Sequence, residues 1–411
     1  MKEWSYLNSA VQILQAYNGQ EPFASFSRKY FSQHKKYGSK DRKQISHLCY
    51  CYFRLGKSAM DLTVEERLMA GLFLCNNGPN EMLDKLKPDW NANALLSAKE
   101  KCSMLNVQCS ILDVFPWKEE LSEGIEYENF CGSFFIQPDL FFRLRPGKDR
   151  IVKQKLQEAG IEYKMIKDDC IALSNSSKLD KVIELNKEAV VQDYNSQRVG
   201  EFLVTGQTGT VRPDLKDNNS QRVGELPSLP IANCPLSVWD CCAASGGKSI
   251  MAKDILGDID LTVSDIRESI LINLKQRFKE AGIKNYRSFM ADLALDSSEI
   301  RNLKSDIIIA DAPCTGSGTW SRTPEQLYYF NRNEIDRYSF LQKKIVSNAI
   351  PHLLAGGYFL YITCSVFTKE NEEVVEFIKK NFQLNLIKME ILKGYDKKAD
   401  TMFAALFRKL L

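Results

Sequence analysis

The sequence predicts an α/β protein: a doubly wound, Rossmann-like sheet in the C-terminal part, preceded by a small α+β module and an N-terminal helical bundle. Three observations carry this. From Pro235 onward short apolar runs alternate with amphipathic helical stretches, the pattern of a parallel sheet covered on both faces. Two of those runs, SDIIIAD and GGYFLYIT, are nearly unbroken, as strands buried on both sides are, and each leads into a cysteine, Cys314 or Cys364. Finally, 411 residues with 44% hydrophobic content exceed what one core normally fills, so two or three domains are expected.

The elements follow in order. Residues 1–130 show apolar positions at helical spacing in SYLNSAVQILQAY, KQISHLCYCYFRLG and TVEERLMAGLFLCN, which predicts a helical bundle. Residues 131–186 change to GSFFIQPDLFFRLRP, a helical RIVKQKLQEAGI and a strand around CIALS, a small α+β module of ferredoxin or RRM type. Residues 187–235 are a connecting segment in which NSQRVGE occurs twice, at 195–201 and 219–225. The stretch between the copies is poor in large apolar groups and predicts an exposed loop; two copies are too few for a solenoid. In residues 236–411 the strands are LSVWD, LTVSD, NYRSFMAD, SDIIIAD, GGYFLYIT and a closing pair from LNLIKME to DTMFAALFRK. The helices GKSIMAKDIL, RESILINLKQRFKEAG, NEIDRYSFLQKKIVSNAIPHLL and KENEEVVEFIKK fall between them.

Composition excludes several classes. No window approaches the roughly 18 apolar residues of a membrane helix, and MKEWSYLNSAVQIL lacks the pattern of a signal peptide, so a cytoplasmic protein is expected. The 12 cysteines are scattered without a CxxC pair, unlike a disulfide scaffold, and with three histidines in the chain no metal site is expected. Net charge is only +3, yet Ser27–Lys57 holds nine Lys or Arg against the single acid Asp41. That stretch is a candidate to hold phosphates, or an ordinary solvated helical face, since its interleaved Tyr30, Phe31, Tyr37, Tyr50, Tyr52 and Phe53 suit a helical core equally well.

Ligands of doubly wound sheets bind beyond the C-terminal strand ends, which brings the thiols of Cys314 and Cys364 over one crevice. In VWDCCAASGGKS a strand ends at Asp240 and a loop of small residues, Ala243, Ala244, Ser245, Gly246 and Gly247, opens the next helix. Small side chains let a ligand approach the backbone, and the free N–H groups of a helix start favour a negative group. A phosphate loop would require glycine where Cys242 stands, and GxGxxG is absent. Acids close four strands, Asp240, Asp265, Asp292 and Asp311, and Asp265 stands 25 residues after Asp240, where such folds contact ribose hydroxyls. An adenosine-bearing cofactor fits that edge.

The strings CCAASGGKS, VSD, AD, DAPCTGSG with Arg322 and Pro324, and YITCSV followed by KENEEVVEFI resemble, in order, the motifs of RNA cytosine-5 methyltransferases of the RsmB and NSUN type. VQDYNSQRVGE and DTMFAALFRK resemble the segments that flank that domain, so the resemblance covers about residues 132–411. KKYGSKDRKQISHLCYCYFR is similar to a motif of the NusB-like RNA-binding domain that precedes it in bacterial ribosomal enzymes. The resemblance implies a class I fold using S-adenosylmethionine, with small-subunit ribosomal RNA as partner and a monomeric enzyme. It implies Cys364 as nucleophile toward cytosine C6, Cys314 in product release and Asp311 in base positioning. It assigns cofactor binding to Cys242, Ala243, Ala244, Ser245, Gly246, Gly247, Lys248, Asp265, Asp292 and Asp311, with Lys248 toward the methionine carboxylate or the neighbouring backbone. Ser245 departs from the family's usual proline, and the duplicated NSQRVGE leaves two candidates for one structural position. A noncatalytic RNA-binding or ribosome-assembly factor, and a cytosine-5 enzyme acting on transfer RNA or DNA, are the alternatives.

Overall fold

In the computed structural model the described residues are 2–410, except 106–108, 176, 178, 180, 206–234 and 296–299. The chain forms two compact units, one of residues 1–138, 317–334 and 395–398, the other of 139–316, 335–394 and 399–411. Among the described residues no helix is long and apolar enough to cross a membrane.

The first unit is built on the helices Lys2–Ala16, Phe23–Gln33, Ser39–Arg54 and Val64–Cys75. A reciprocal cap starts the last of these: Thr63 accepts from the Glu66 amide while the Glu66 carboxylate accepts from the Thr63 amide (3.0 Å). Gly71 lets this helix approach Ser39–Arg54, because a Cβ there would lie 2.5 Å from the Cys51 carbonyl oxygen. The basic stretch is not one uniform surface. Arg54 is buried and donates to the carbonyls of Phe134 (2.6 Å), Ile136 (3.1 Å) and Ser321 (2.9 Å), and Lys57 donates to the Tyr328 carbonyl (2.6 Å). Phe31, Tyr37, Tyr52 and Phe53 are core side chains. Arg28, Lys29, Lys35, Lys36, Lys40, Arg42 and Lys43 remain exposed.

The second unit holds two sheets. The smaller is antiparallel, with β1 (Leu140–Leu144), β2 (Lys164–Lys167), β3 (Cys170–Leu173) and β4 (Ala189–Val191) in the order β2-β3-β1-β4. The Asp149–Glu158 helix closes it by packing Val152 and Leu156 on Phe142, Leu144, Ile171 and Leu173. The first NSQRVGE copy packs on the larger sheet: buried Asn195 donates to the carbonyls of Leu392 (2.8 Å) and Asp400 (2.7 Å), and Val199 joins Val238 and Ile250 in the core. The second copy, 219–225, lies outside the described residues.

The larger sheet carries the doubly wound pattern read from the sequence. Its strands are β5 (Leu236–Asp240), β6 (Ile259–Asp265), β7 (Arg287–Met290), β8 (Ser305–Asp311), β9 (Leu353–Thr363), β10 (Leu384–Leu392) and β11 (Met402–Lys409), ordered β10-β11-β9-β8-β5-β6-β7. Neighbours from β9 to β7 are parallel, and β11 runs antiparallel to β9 and β10. Alternate residues of β8 explain its apolar run: Ile307 and Ile309 enter the core under the Gly247–Leu256 and Glu268–Ala281 helices. Ile308 and Ala310 enter the core under Asn333–Ala349 and Glu372–Asn381. Chain order reverses between β5 and β8, and at such a switch point the outgoing loops diverge and leave a crevice.

Candidate active site

The loop after β5 turns sharply. Ala244 (φ 44°) and Gly246 (φ 81°) are both left-handed, and the Gly246 amide closes the turn on the Ala243 carbonyl (2.8 Å). Gly246 is required twice over, since a Cβ there would also fall 2.6 Å from the Phe278 ring. At Gly247 the nearest atom to such a Cβ is Arg277 Nη1 at 4.0 Å, so the backbone there borders open space. The Gly247–Leu256 helix starts without a side-chain cap, leaving its first amides for another partner. Asp265, at the end of β6, accepts the Ala244 amide on Oδ2 (3.0 Å) and the Arg267 amide on Oδ1 (3.0 Å), which ties the loop to the neighbouring strand. An open glycine cradle, an uncapped helix start and an adjacent carboxylate fit the carboxylate and ribose of an adenosyl cofactor. Asp292, just past β7, accepts the Ala294 amide (2.9 Å) and follows the strand paired with β6, two residues beyond the partner of Asp265.

Asp240 differs from the other strand-end acids. It is fully buried, with Oδ2 accepting from the Ser249 hydroxyl (2.5 Å) and Oδ1 without a hydrogen-bond partner. Burial pushes its carboxyl up to about 7, from an ordinary 3.8. Between those values the folded chain keeps a proton that the unfolded chain has lost, so this group's contribution to stability falls as pH rises from about 4 to about 7. The gap sets a ceiling of about 4 kcal/mol. Asp240→Asn is expected to flatten this part of the pH profile in denaturant unfolding at pH 5 and 8; an unchanged fall would contradict it.

Across the switch point Lys248 Nζ lies 2.8 Å from Asp311 Oδ2, both side chains largely buried. Burial works against the ammonium, but Asp311 and the sulfur of Cys364 outweigh it and raise the Lys248 pKa. The ammonium expected at the methionine carboxylate is thus engaged by Asp311 and stands beside a thiol. Cys314 and Cys364 meet through both backbone and side chain: the Cys364 amide donates to Cys314 Sγ (3.3 Å), and the two thiols are hydrogen-bonded to each other. The hydrogen bond with Cys364, burial, and the charges of Cys364 and Glu370 push the Cys314 thiol well above its ordinary value.

Glu370 and Asn371 were given no role by the sequence reading, although they sit in the quoted KENEE string. The buried Glu370 carboxylate accepts from the Thr315 amide (2.9 Å), the Thr315 hydroxyl (2.6 Å), the Ser365 hydroxyl (2.7 Å) and Gln342 (3.1 Å). One carboxylate therefore clasps the residue after each cysteine. Asn371 accepts from the Thr363 hydroxyl (2.5 Å) and donates to the Ser365 carbonyl (2.9 Å), fixing the Cys364 loop from both sides. The only sequence signal was polar residues at the start of a helix directly after a strand-end cysteine.

Residues 234–407 match the family model described as 16S rRNA methyltransferase RsmB/F. Ribosomal RNA small subunit methyltransferase B of Enterobacter sp. (strain 638) is 29% identical over 150 residues, which are 36% of this chain and 35% of that protein. The matched stretch thus spans about a third of the length of these curated relatives. Two solved structures share the fold. The crystal structure of PH0851 aligns over 97% of both chains at 18% identity with a TM-score of 0.65. That of NSun6 from Pyrococcus horikoshii with SFG aligns over 70% of this chain and 94% of its own at 15% identity with a TM-score of 0.50.

Proposed function

We propose that this chain, whose residues 234–407 are a methyltransferase domain of the RsmB/F type, methylates C5 of a cytosine in small-subunit ribosomal RNA. The observation that carries the cytosine-C5 chemistry is the pair of thiols, Cys314 and Cys364, set together beside the Lys248–Asp311 ion pair. When bound, S-adenosylmethionine supplies an electrophilic methyl group.

Cytosine C5 is electron-poor and reacts only after a nucleophile has added at C6. Cys364 is that nucleophile. Cys314 is the sulfur whose surroundings favour the protonated form, and Lys248 places a positive charge beside Cys364, whose thiolate is the attacking form. The new C6–S bond shifts an electron pair through the ring toward N3, where the hydrogen-bonding Asp311–Lys248 pair stabilises it, and C5 becomes enamine-like. After C5 is methylated, its proton must leave to a base while the C5–H electron pair re-forms the C5=C6 bond and the C6–S pair leaves with the sulfur, restoring the aromatic ring and the Cys364 thiolate. Once the Cys364 sulfur is in the bond, its hydrogen bond and charge no longer favour a protonated Cys314; Cys314 can then release its own proton to solvent and, as the thiolate, take the proton from C5.

Neither thiol could reach C6 inside a duplex, so the target cytosine is unpaired or flipped from its stack. The exposed cations Arg28, Lys35, Lys36, Lys40 and Lys43 are available to backbone phosphates, whereas Lys29 pairs with Glu21 (2.8 Å) and Arg42 donates to the Tyr37 carbonyl (2.9 Å). Asp265 and Asp292 are assigned to the cofactor's ribose edge, and the 242–248 loop to its amino-acid end.

Incubating the purified protein with methyl-labelled donor and total RNA, then mapping the product, tests the proposal: 5-methylcytosine at one position of small-subunit RNA is expected. A product on another base or no RNA labelling would overturn it. Cys314→Ala is expected to stall after methylation and accumulate enzyme covalently joined to RNA, visible as a slow-migrating band on denaturing gels. Finding only free enzyme would remove Cys314 from the release step.

A further inference from the structure

Ser245 is the one position in the cofactor loop where this chain departs from the resemblance, and it is also where a cation reaches the loop. Arg277 Nη1, from the Glu268–Ala281 helix, donates to the Ser245 carbonyl (3.0 Å) and the Ser245 hydroxyl (2.7 Å). The guanidinium is itself held from behind. Its Nε donates to Asn186 Oδ1 (3.0 Å), Asn186 Nδ2 donates to Glu280 (2.7 Å), and Arg145 Nη1 donates to the Asn186 carbonyl (2.7 Å). Asn186 is buried with a left-handed backbone (φ 64°), a conformation costly for a residue with a Cβ and retained here by bonds on both its amide and its carbonyl. Arg145 in turn pairs with Asp254 at 2.7 Å, as does Arg143, and Asp254 lies on the very helix that the loop opens. A closed chain of polar contacts therefore runs from the loop through Arg277, Asn186, Arg145 and Asp254 back to the Gly247–Leu256 helix.

We infer that Arg277 is a positioning residue for cofactor binding: it fixes the 244–247 turn by hydrogen bonds to Ser245, where the resemblance leads one to expect the rigidity of a proline ring. The inference rests on the reading of this loop as the S-adenosylmethionine site. A serine leaves the backbone freer than proline does, and a left-handed residue stands on either side of it, Ala244 and Gly246. A charge-assisted fork onto both the carbonyl and the hydroxyl of Ser245 restrains that freedom and keeps the cradle at Gly247 open.

The test compares the parent with Arg277→Met, Arg277→Lys and Ser245→Ala. Amide hydrogen exchange over residues 241–249 is read in the ligand-free protein, and affinity for S-adenosylhomocysteine by calorimetry. In Arg277→Met, exchange in the loop and the dissociation constant are both expected to rise about tenfold, the scale of a lost charge-assisted bond. KM for the donor should rise with them while kcat stays within about twofold, as for lost uniform binding. Arg277→Lys, which keeps one donor, and Ser245→Ala, which keeps the carbonyl, should fall between; adding Ser245→Ala to Arg277→Met should cost little more, because both act through one contact. If Arg277→Met fails to fold, Ser245→Ala alone carries the test, with loop exchange and dissociation constant expected to rise about threefold by the same reasoning. Unchanged loop exchange and affinity in the folded variants would overturn the inference. A parent protein that binds no S-adenosylhomocysteine would instead overturn the reading of the site.

Discussion

Replacing Cys364 by alanine is expected to abolish methyl transfer, lowering kcat by about four orders of magnitude or more, as when a covalent nucleophile is removed from a site that still binds. Substrate affinity should hardly change, because the sulfur contributes to the reaction rather than to ground-state contacts. The fold should survive, since Cys364 is only partly buried and its loop is held by Asn371 and by Glu370 acting on Ser365. Single-turnover kinetics with RNA and donor in excess check the result. Residual activity within tenfold of the parent would mean that attack at C6 comes from elsewhere, with Cys314 the first alternative.

Lys248→Met is expected to lose about a hundredfold to a thousandfold in kcat, the size of one electrostatic partner removed from a partly buried reacting centre. Asp311, 2.8 Å away, is left without its counterpart, and the sulfur of Cys364 loses the neighbouring positive charge. The sign of the pH effect follows. In the parent, Asp311 and Cys364 raise the Lys248 pKa despite burial, so the ammonium persists through neutral and mildly alkaline pH. Without it the rate should keep climbing to higher pH before levelling, and Lys248→Arg should recover part of the activity. An unshifted pH–rate profile in Lys248→Met would assign the lysine to the cofactor carboxylate, as the sequence alone suggested.

The larger sheet was legible because burial on both faces forces β8 and β9 to be apolar along their length, while the covering helices keep one polar face. β2 and β4 were not, since four-residue and three-residue strands such as Lys164–Lys167 and Ala189–Val191 are too short to show a period. In the site, what chain position determines was readable: a cysteine or aspartate just past a strand end lies at the crevice. What depended on distance across the sheet was hidden. Lys248 and Asp311 are 63 positions apart, and only the β5–β8 pairing brings their ends together. Arg277 reads as one more helix cation until Ser245 and Asn186 are seen against it. The same limit applied to Arg54, which looked like part of a phosphate-binding face. Its partners, the carbonyls of residues 134, 136 and 321, lie far along the chain. The duplicated NSQRVGE was half resolved: the copy at 195–201 fills the buried position through Asn195 and Val199.

RNA carrying 5-fluorocytosine captures the bond between Cys364 and cytosine C6, because fluorine at C5 cannot leave as the proton does and the adduct persists. Digesting the trapped complex and sequencing the modified peptide by mass spectrometry is expected to find the nucleotide on Cys364, with trapping lost in Cys364→Ala and retained in Cys314→Ala. A nucleotide attached to Cys314, or no covalent complex with the active parent enzyme, would contradict it.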